Sequence, residues 1–145
     1  MNLRFEKRDT FYVHGFSVET GGATIEKDCV TLKEKHEGKL KSISDCLYYL
    51  TWSPNGYESE DLVCHIGVES TGLTLTTEGA TSVELPAARY AVATVPKGVS
   101  VITAWQEFYE KGIPSLNAEI DLNYGIHFES FDANGVCELW IPVKE

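Results

Sequence analysis

The last part of the chain contains the feature that most restricts its fold, a pair of short alternating segments around an Asn134-Gly135 turn. Tyr124–Phe131 and Val136–Val143 each alternate apolar and polar side chains, which is typical of strands with one buried face. Asn-Gly is a strong hairpin signal, because both residues tolerate the positive φ angles that tight hairpin turns require. The sequence therefore predicts an antiparallel hairpin with Asp132-Ala133-Asn134-Gly135 as its loop.

The two strands of this hairpin combine acidic and aromatic side chains on what alternation predicts to be one face. Glu138 and Trp140 alternate with an apolar row in the second strand, and Glu129 alternates with Ile126 and Phe128 in the first. An ordinary solvent-exposed face has no need of large rings beside carboxylates. We expect Glu129, Glu138 and Trp140 to share a concave site for an amphipathic or cationic organic molecule.

The order of predicted elements occurs twice along the chain. Each half reads strand, helix, strand, strand, which predicts an α+β fold of two such units in a pseudo-twofold arrangement. We expect a single domain over residues 1–145, with repeats at about 10–70 and 82–143. In the first half the predicted elements are a strand at Phe11–Glu19, a helix at Thr24–Glu37 ending at Gly38, and strands at Asp45–Trp52 and Asp61–Glu69 around the turn Ser53-Pro54-Asn55-Gly56. In the second half they are a strand at Glu84–Val95 bent at Pro86, a helix from Ser100 to Lys111 ending at Gly112, the loop Ser115–Asn123 and the hairpin.

We expect a mainly antiparallel sheet with both helices on one face and a ligand cleft on the other. The helices would cover the apolar rows of the hairpin, and Trp105 is interpreted as a packing residue on a helical apolar face. The first half would contribute Tyr48, Trp52 and His65 to the cleft, because apolar residues alternate with His65 along its strand. The hairpin residues expected beneath the helices are Ile126, Phe128, Leu139 and Ile141.

Charge and composition limit the partners of the chain. A formal net charge of −10 argues against sequence-independent binding to nucleic-acid phosphates, which requires a cationic surface. No apolar run approaches the ~20 residues of a membrane helix, and the first residues lack the apolar stretch of a signal peptide. We therefore expect a cytoplasmic protein that contacts neither nucleic acid nor membrane.

The cysteines and histidines do not have the spacing of a metal or redox site. Four residues of each type are scattered, without a Cys-x-x-Cys pair or zinc-ligand spacing. We expect buried free thiols, no metal and no cofactor. The cysteines are Cys29, Cys46, Cys64 and Cys137.

An ordered set of motifs resembles the GyrI-like small-molecule-binding domain, which is also the effector-binding half of AraC- and MerR-type multidrug regulators. The set consists of Arg89-Tyr90-Ala91-Val92-Ala93, the helix with Trp105, Phe128-Glu129-Ser130-Phe131 and Glu138-Leu139-Trp140-Ile141-Pro142-Val143. The first half is similar mainly through Val13-His14-Gly15. The resemblance implies a cleft in which aromatic side chains hold a flat, often cationic ligand and a buried glutamate supplies the counter-charge.

By motif position, the resemblance implies that Glu129 is this glutamate and that Trp140 forms an aromatic wall. Tyr90 lies in a matching motif and joins the candidate residues. No helix-turn-helix motif precedes the domain, so we expect the stand-alone form and not a transcription factor.

These observations leave three functions open. The first is binding of aromatic, cationic xenobiotics by a sequestering or sensing protein. The second is hydrolysis of strained, cyclopropane-bearing genotoxins, a reaction of some GyrI-like proteins, in which Glu129 would act with Tyr48 or Tyr90. The third is modulation of DNA gyrase through protein contact. The sequence shows no nucleophile elbow or Cys-His pair, so catalysis is supported by the resemblance alone.

Overall fold

The structure, a computed structural model, describes residues 1–55, 60–70 and 78–145. It is an α+β fold, as predicted, and Gly56 of the predicted turn lies outside the described residues. The strands are β1 (Asn2–Arg8), β2 (Phe11–Gly21), β3 (Leu47–Trp52), β4 (Asp61–Ser70), β5 (Thr81–Leu85), β6 (Ala88–Thr94), β7 (His127–Phe131) and β8 (Cys137–Val143). The helices are α1 (Ile25–Lys41), α2 (Val101–Glu107), a π-helical turn (Phe108–Gly112) and α3 (Ile113–Ser115).

All described strands form one antiparallel sheet in the order β1-β6-β8-β7-β3-β4-β2-β5. The two halves of the chain meet at the pair β7–β3. Outward from this pair, the first half contributes β3, β4 and β2, and the second half contributes β7, β8 and β6. The same outward order in both halves is the order that a pseudo-twofold arrangement requires.

Both main helices pack against one side of the sheet, which we call the helix face. Neighbouring strands place Leu139, Glu129, Tyr49 and Ile66 in one row on this face. On α1, Leu32 belongs to the same apolar cluster as Ile66, and the helix packs on β2 and β4. The π-helical turn after α2 packs on the other half of this face. The prediction that both helices cover one face is confirmed.

The predicted helix ends are wrong in both halves. The first helix continues through Gly38, because Leu40 is buried in the core and its packing favours another helical turn. In the second half, Ser100 is the predicted N-cap and its Oγ accepts from the Thr103 N–H at 3.2 Å. Helical structure then continues to Ser115, because the π-helical turn lets Phe108 and Ile113, five positions apart, both enter the core.

The other side of the sheet, which we call the inner face, is filled by its own side chains because the sheet curls. Asp9 and Thr10 alone connect β1 to β2, which lie near opposite ends of the strand order. The predicted strand at Glu84–Val95 is two strands, β5 and β6, because the chain crosses between the ends of the sheet at Pro86. The rings of Phe11 and Phe128 meet across the curl at 5.8 Å. The expectation of a ligand cleft on this face is wrong.

Candidate functional site

Between the paired residues Phe131 and Cys137, the hairpin of β7 and β8 has one residue more than the predicted four-residue loop, because Val136 is not paired with Phe131. The Gly135 N–H donates to the Asp132 carbonyl at 3.0 Å, and Gly135 has a φ of 77°. A tight turn followed by a glycine in the left-handed conformation is a common form of hairpin loop with a bulge. The Asp132 carboxylate accepts from the Val136 N–H at 2.9 Å, and regular pairing resumes with Phe131 opposite Cys137.

This extra residue separates the side chains that were expected to share a face. The register places Glu129 opposite Leu139 and Phe128 opposite Trp140. Because a one-residue shift moves every side chain of a strand to the other face, Glu129 lies on the helix face. Glu138, Trp140 and Phe128 lie on the inner face. The predicted common face of Glu129, Glu138 and Trp140 is therefore wrong, as is the prediction that Phe128 lies beneath the helices.

A cavity of about 560 Å³ lies on the helix face between α1 and the stretch formed by α2, the π-helical turn and α3, which we call the second helical segment. Cys29 and Leu32 line it from α1, and Trp105 and Tyr109 line it from the opposite side. The sheet and the segment before β7 complete the lining with residues that include Tyr49, Thr51, Trp52, Leu62, Cys64, Ile66, Ile120, Leu122, His127 and Glu129. The volume lies within the roughly 300–1,000 Å³ typical of small-molecule sites.

Glu129 is the acidic residue among the described residues that line this cavity. The Trp105 Nε1–H donates to Glu129 Oε1 at 2.7 Å. Burial raises the pKa of the Glu129 carboxyl above its usual value, while the Trp105 hydrogen bond and the charge of Lys33 act in the opposite direction. A carboxylate in apolar surroundings is costly unless a cation or further donors satisfy it. The cavity is therefore suited to a positively charged guest.

The side chains of Trp105, Tyr109 and His127 lie beside the Glu129 carboxylate. The rings of Trp105 and Tyr109 stack with centroids 5.6 Å apart and planes 22° from parallel. The Tyr109 hydroxyl forms a hydrogen bond with His127 Nδ1. Burial lowers the pKa of His127 to about 4, so its ring is neutral near pH 7 and does not compete with a cationic guest.

Three of the seven sequence candidates border the cavity, Glu129, Trp52 and His65, but of these Glu129 alone has its side chain on the helix face. His65 pairs with Leu50 and therefore lies on the inner face, and Trp52 packs against the aromatic cluster of that face. The His65 ring is engaged within the sheet, with Nδ1 at 2.6 Å from Ser17 Oγ and Nε2 at 3.0 Å from the Val13 carbonyl. Burial lowers the pKa of His65 to about 4, so the neutral ring donates from Nε2 and accepts at Nδ1. Its polar atoms are therefore committed to structural contacts.

Trp140 and Tyr90 belong to an aromatic cluster on the inner face. Trp140 stacks on Phe128 with ring centroids 5.3 Å apart and donates from Nε1 to Ser130 Oγ at 3.0 Å. Tyr90 is fully buried, and its hydroxyl shares a 2.7 Å hydrogen bond with that of Tyr124. Trp140 is not a wall of the Glu129 cavity, because the sheet lies between them.

Tyr48 and Glu138 also lie on the inner face, each beside an arginine of β1. The Tyr48 hydroxyl donates to Glu69 at 3.0 Å, and Arg8 donates to the same carboxylate at 2.6 Å. Glu138 accepts from the Arg4 guanidinium in a partly exposed ion pair. Their polar groups are therefore engaged in two separate sets of contacts with β1 and do not form a ligand site with Glu129.

The tyrosines expected to act with Glu129 in hydrolysis are separated from it by the sheet. Glu129 pairs with Tyr49, so Tyr48, one position earlier, points to the other face. Tyr90 lies on that other face as well. The expected pairs Glu129–Tyr48 and Glu129–Tyr90 are wrong, and the tyrosines that line the cavity are Tyr49 and Tyr109.

Two of the cysteines are joined, contrary to the expectation of free thiols. A disulfide links Cys29 of α1 to Cys64 of β4, with Cα atoms 6.3 Å apart, which is within the usual disulfide range. Cys46 is half-buried and free, and Cys137 is buried and free. The sequence offers no sign of the pair, because its members are 35 positions apart and meet only when α1 packs on the sheet.

A family model places the chain among known proteins. The model is Cass2, described as an integron-associated effector binding protein, and it matches residues 4–143. The chain belongs to this family. The predicted GyrI-like relationship is confirmed, and the general function of the chain is the binding of a small-molecule effector.

Solved structures show the same fold at low sequence identity. A Staphylococcus aureus MU50 protein assigned to transcription regulation has a TM-score of 0.74 at 14% identity, with 100% of this chain and 99% of that chain covered. SAV2435, solved with tetraphenylphosphonium bound, has a TM-score of 0.71 at 15% identity, with 99% and 94% covered. The Vibrio cholerae integron cassette protein VCH_CASS2 has a TM-score of 0.60 at 19% identity, with 98% and 95% covered. No curated protein matches the chain.

Trp105, Tyr109 and His127 line the cavity, although none of them was among the predicted site residues. Their positions in the sequence contain signals that could have identified them. Trp105 and Tyr109 are four positions apart, a spacing that places both on one side of a helix. His127 alternates with Glu129 and therefore shares its face. The spacing could not show that this side of the second helical segment borders a cavity as well as the core.

Metal and membrane features can be assessed for the part of the chain that the structure describes. No group of three or more His, Cys, Asp or Glu side chains there is placed to hold a metal ion. None of the helices in those ranges has the length and apolar character needed to cross a bilayer.

Proposed function

We propose that this protein binds aromatic organic cations in the cavity between α1 and the second helical segment. The observation that carries the proposal is the state of Glu129. Its carboxylate lines an apolar cavity, accepts one hydrogen bond from Trp105, and forms no ion pair with any of the described residues. A bound cation would supply the missing counter-charge.

Two physical effects would favour such a ligand over a neutral one. Coulomb attraction to a carboxylate is stronger in a partly desolvated cavity than in water. A cation above the ring faces of Trp105 and Tyr109 would gain roughly 0.5–2 kcal/mol per ring from cation–π contact. Because ring stacking tolerates many ligand shapes, we expect breadth across aromatic cations and not recognition of a single compound.

The related structures support the choice of probe. SAV2435 has the same fold and holds tetraphenylphosphonium, which is an aromatic cation. We propose that this chain binds xenobiotics of that chemical class in the cytoplasm, as a sequestering or sensing protein. We expect Glu129, Trp105 and Tyr109 to contact the ligand.

Calorimetric titration with tetraphenylphosphonium tests the proposal, with neutral triphenylphosphine oxide as the matched uncharged ligand. We expect saturable binding of the cation and weaker binding of the oxide. Circular dichroism of the same sample verifies that it is folded. A folded sample that binds neither the cation nor other planar organic cations above background would refute the proposal.

A further inference from the structure

The Cys29–Cys64 disulfide lies in the lining of the Glu129 cavity. Cys29 lies in the second turn of α1 and Cys64 in β4, and both line the Glu129 cavity. The Sγ atom of Cys64 is also 4.0 Å from Oγ1 of Thr51, which lines the same cavity. The bond therefore joins two walls of the proposed ligand site.

Few side chains of α1 are fully buried against the sheet. Only Leu32 and Leu40 of its 17 residues are buried. The side chain of Thr24, at the N-cap position, makes no capping hydrogen bond to the helix. The first turns are held by the packing of the partly buried Ile25, by the 2.6 Å hydrogen bond from Thr20 to Asp28 and by the disulfide. Loss of the disulfide would remove one of these few attachments from the N-terminal half of α1, which forms one wall of the cavity.

We propose that the Cys29–Cys64 bond is a reversible latch, and that its reduction lowers the affinity of the cavity for its ligand. The latch deepens the proposed function and rests on it. In its oxidised form the latch holds α1 in the position that completes the cavity, so less ordering is required when the ligand binds. In its reduced form α1 moves more freely and binding must order it.

The oxidant is a low-molecular-weight disulfide. The Cys29 thiolate, on the half-buried and therefore more accessible residue, attacks one sulfur of that disulfide and releases one small thiolate. The Cys64 thiolate then attacks the Cys29 sulfur of the mixed disulfide and releases the second. The protein loses two electrons, and the two protons of its thiols end on the two released small thiols. A small dithiol reverses the exchange by the same steps.

Thiol counting first establishes the chemistry. After denaturation of protein equilibrated with glutathione disulfide, we expect two reactive thiols, those of Cys46 and Cys137, and four after treatment with dithiothreitol. Four thiols in both samples would overturn the proposal.

Tetraphenylphosphonium titration of the two forms then tests the effect on the cavity. We expect the reduced form to bind about tenfold more weakly, the size of effect that lost preorganisation of one wall can produce. Cys29→Ser, which leaves the buried Cys64 in place, should bind with the reduced affinity under both conditions. Cys46→Ser removes a thiol outside the cavity and should retain the difference. Equal affinity of the oxidised and reduced proteins would refute the latch while leaving the proposed function intact.

Hydrogen exchange distinguishes failure of the latch from failure of the proposed function. If neither form binds the cation, the proposed function fails. The latch is then judged by exchange of the α1 amides, which should be faster after reduction. Unchanged exchange would refute the latch independently of any ligand.

Discussion

At the scale of single residues, the behaviour of Glu129 depends on the groups that surround its carboxylate. Burial disfavours the charged form, and the Trp105 hydrogen bond favours it. Alternation grouped Glu129 with residues of the other face, and only the resemblance of its motif gave it the role of a buried counter-charge. It could not show that Trp105 is its partner, because the periodicity of an apolar helical face is the same whether that face meets a core or a cavity.

Replacement of Trp105 by phenylalanine should shift the pH dependence of cation binding. Without the indole donor, the charged carboxylate loses stabilisation and the pKa of Glu129 rises further. Cation affinity depends on ionised Glu129, so the pH at which binding is half lost should move upward in Trp105→Phe. Calorimetric titrations across about pH 5 to 8 measure this midpoint.

Trp140→Phe is the matched control, since it also removes an indole donor, but on the inner face. Its midpoint should equal that of the unmodified protein. A midpoint that moves equally in both variants, or in neither, would contradict the role assigned to Trp105.

At the scale of elements, the sequence predicted the hairpin but not the face on which its acid lies. Asn134 and Gly135 indicated a turn, and the alternation of both strands was correct. The left-handed Gly135 adds one residue to the loop, and this reverses the side on which Glu129 lies relative to Trp140. Alternation within one strand is local, whereas register across the hairpin depends on backbone angles that side-chain types only weakly determine.

Two glycine substitutions test these element assignments in opposite directions. Gly38 is exposed inside α1, and a methyl group added to it would meet only open space, so Gly38→Ala should raise the free energy of unfolding by about 0.5–1 kcal/mol.

Gly135 has a φ of 77°, which alanine adopts at a cost, so Gly135→Ala should lower the free energy of unfolding by about 1 kcal/mol. Urea denaturation measures both. A stabilising Gly135→Ala would contradict the bulged turn.

At the scale of the whole molecule, the repeated order of elements predicted the antiparallel sheet and the placement of both helices. It did not predict the curl that fills the inner face. The curl of the sheet depends on the short connection of β1 to β2 through Asp9 and Thr10. It also depends on the close approach of Gly15 to Ile66, because a methyl group added to Gly15 would lie 1.9 Å from the Ile66 carbonyl oxygen. Such contacts join distant positions in the chain, and no local pattern encodes them.

The buried neutral histidines should make the folded protein sensitive to acid. Burial lowers the pKa of His65 to about 4, below its usual value of about 6.5. Between these values the unfolded chain binds more protons, so stability is full above about pH 6.5 and falls as pH decreases toward 4. His65 should contribute a loss of roughly 1–3 kcal/mol over this range. His127 acts in the same direction, and Glu129, with its raised pKa, opposes both.

Urea denaturation from about pH 7 to pH 4.5 measures this dependence. His65→Gln, whose amide can both donate and accept, should reduce the slope of stability against pH. A stability that is constant or rises toward acid in the unmodified protein would contradict the neutral, buried state assigned to His65.

The most direct measurement of the central claim compares two glutamates of one hairpin that lie on opposite faces. Tetraphenylphosphonium and triphenylphosphine oxide are titrated against Glu129→Gln and Glu138→Gln, which undergo the same chemical change. We predict that Glu129→Gln weakens the cation at least about tenfold and the neutral oxide little, whereas Glu138→Gln leaves both affinities unchanged. Equal losses for cation and oxide in Glu129→Gln, or an equal loss of the cation in both variants, would contradict the assignment of Glu129 as the counter-charge of the cavity.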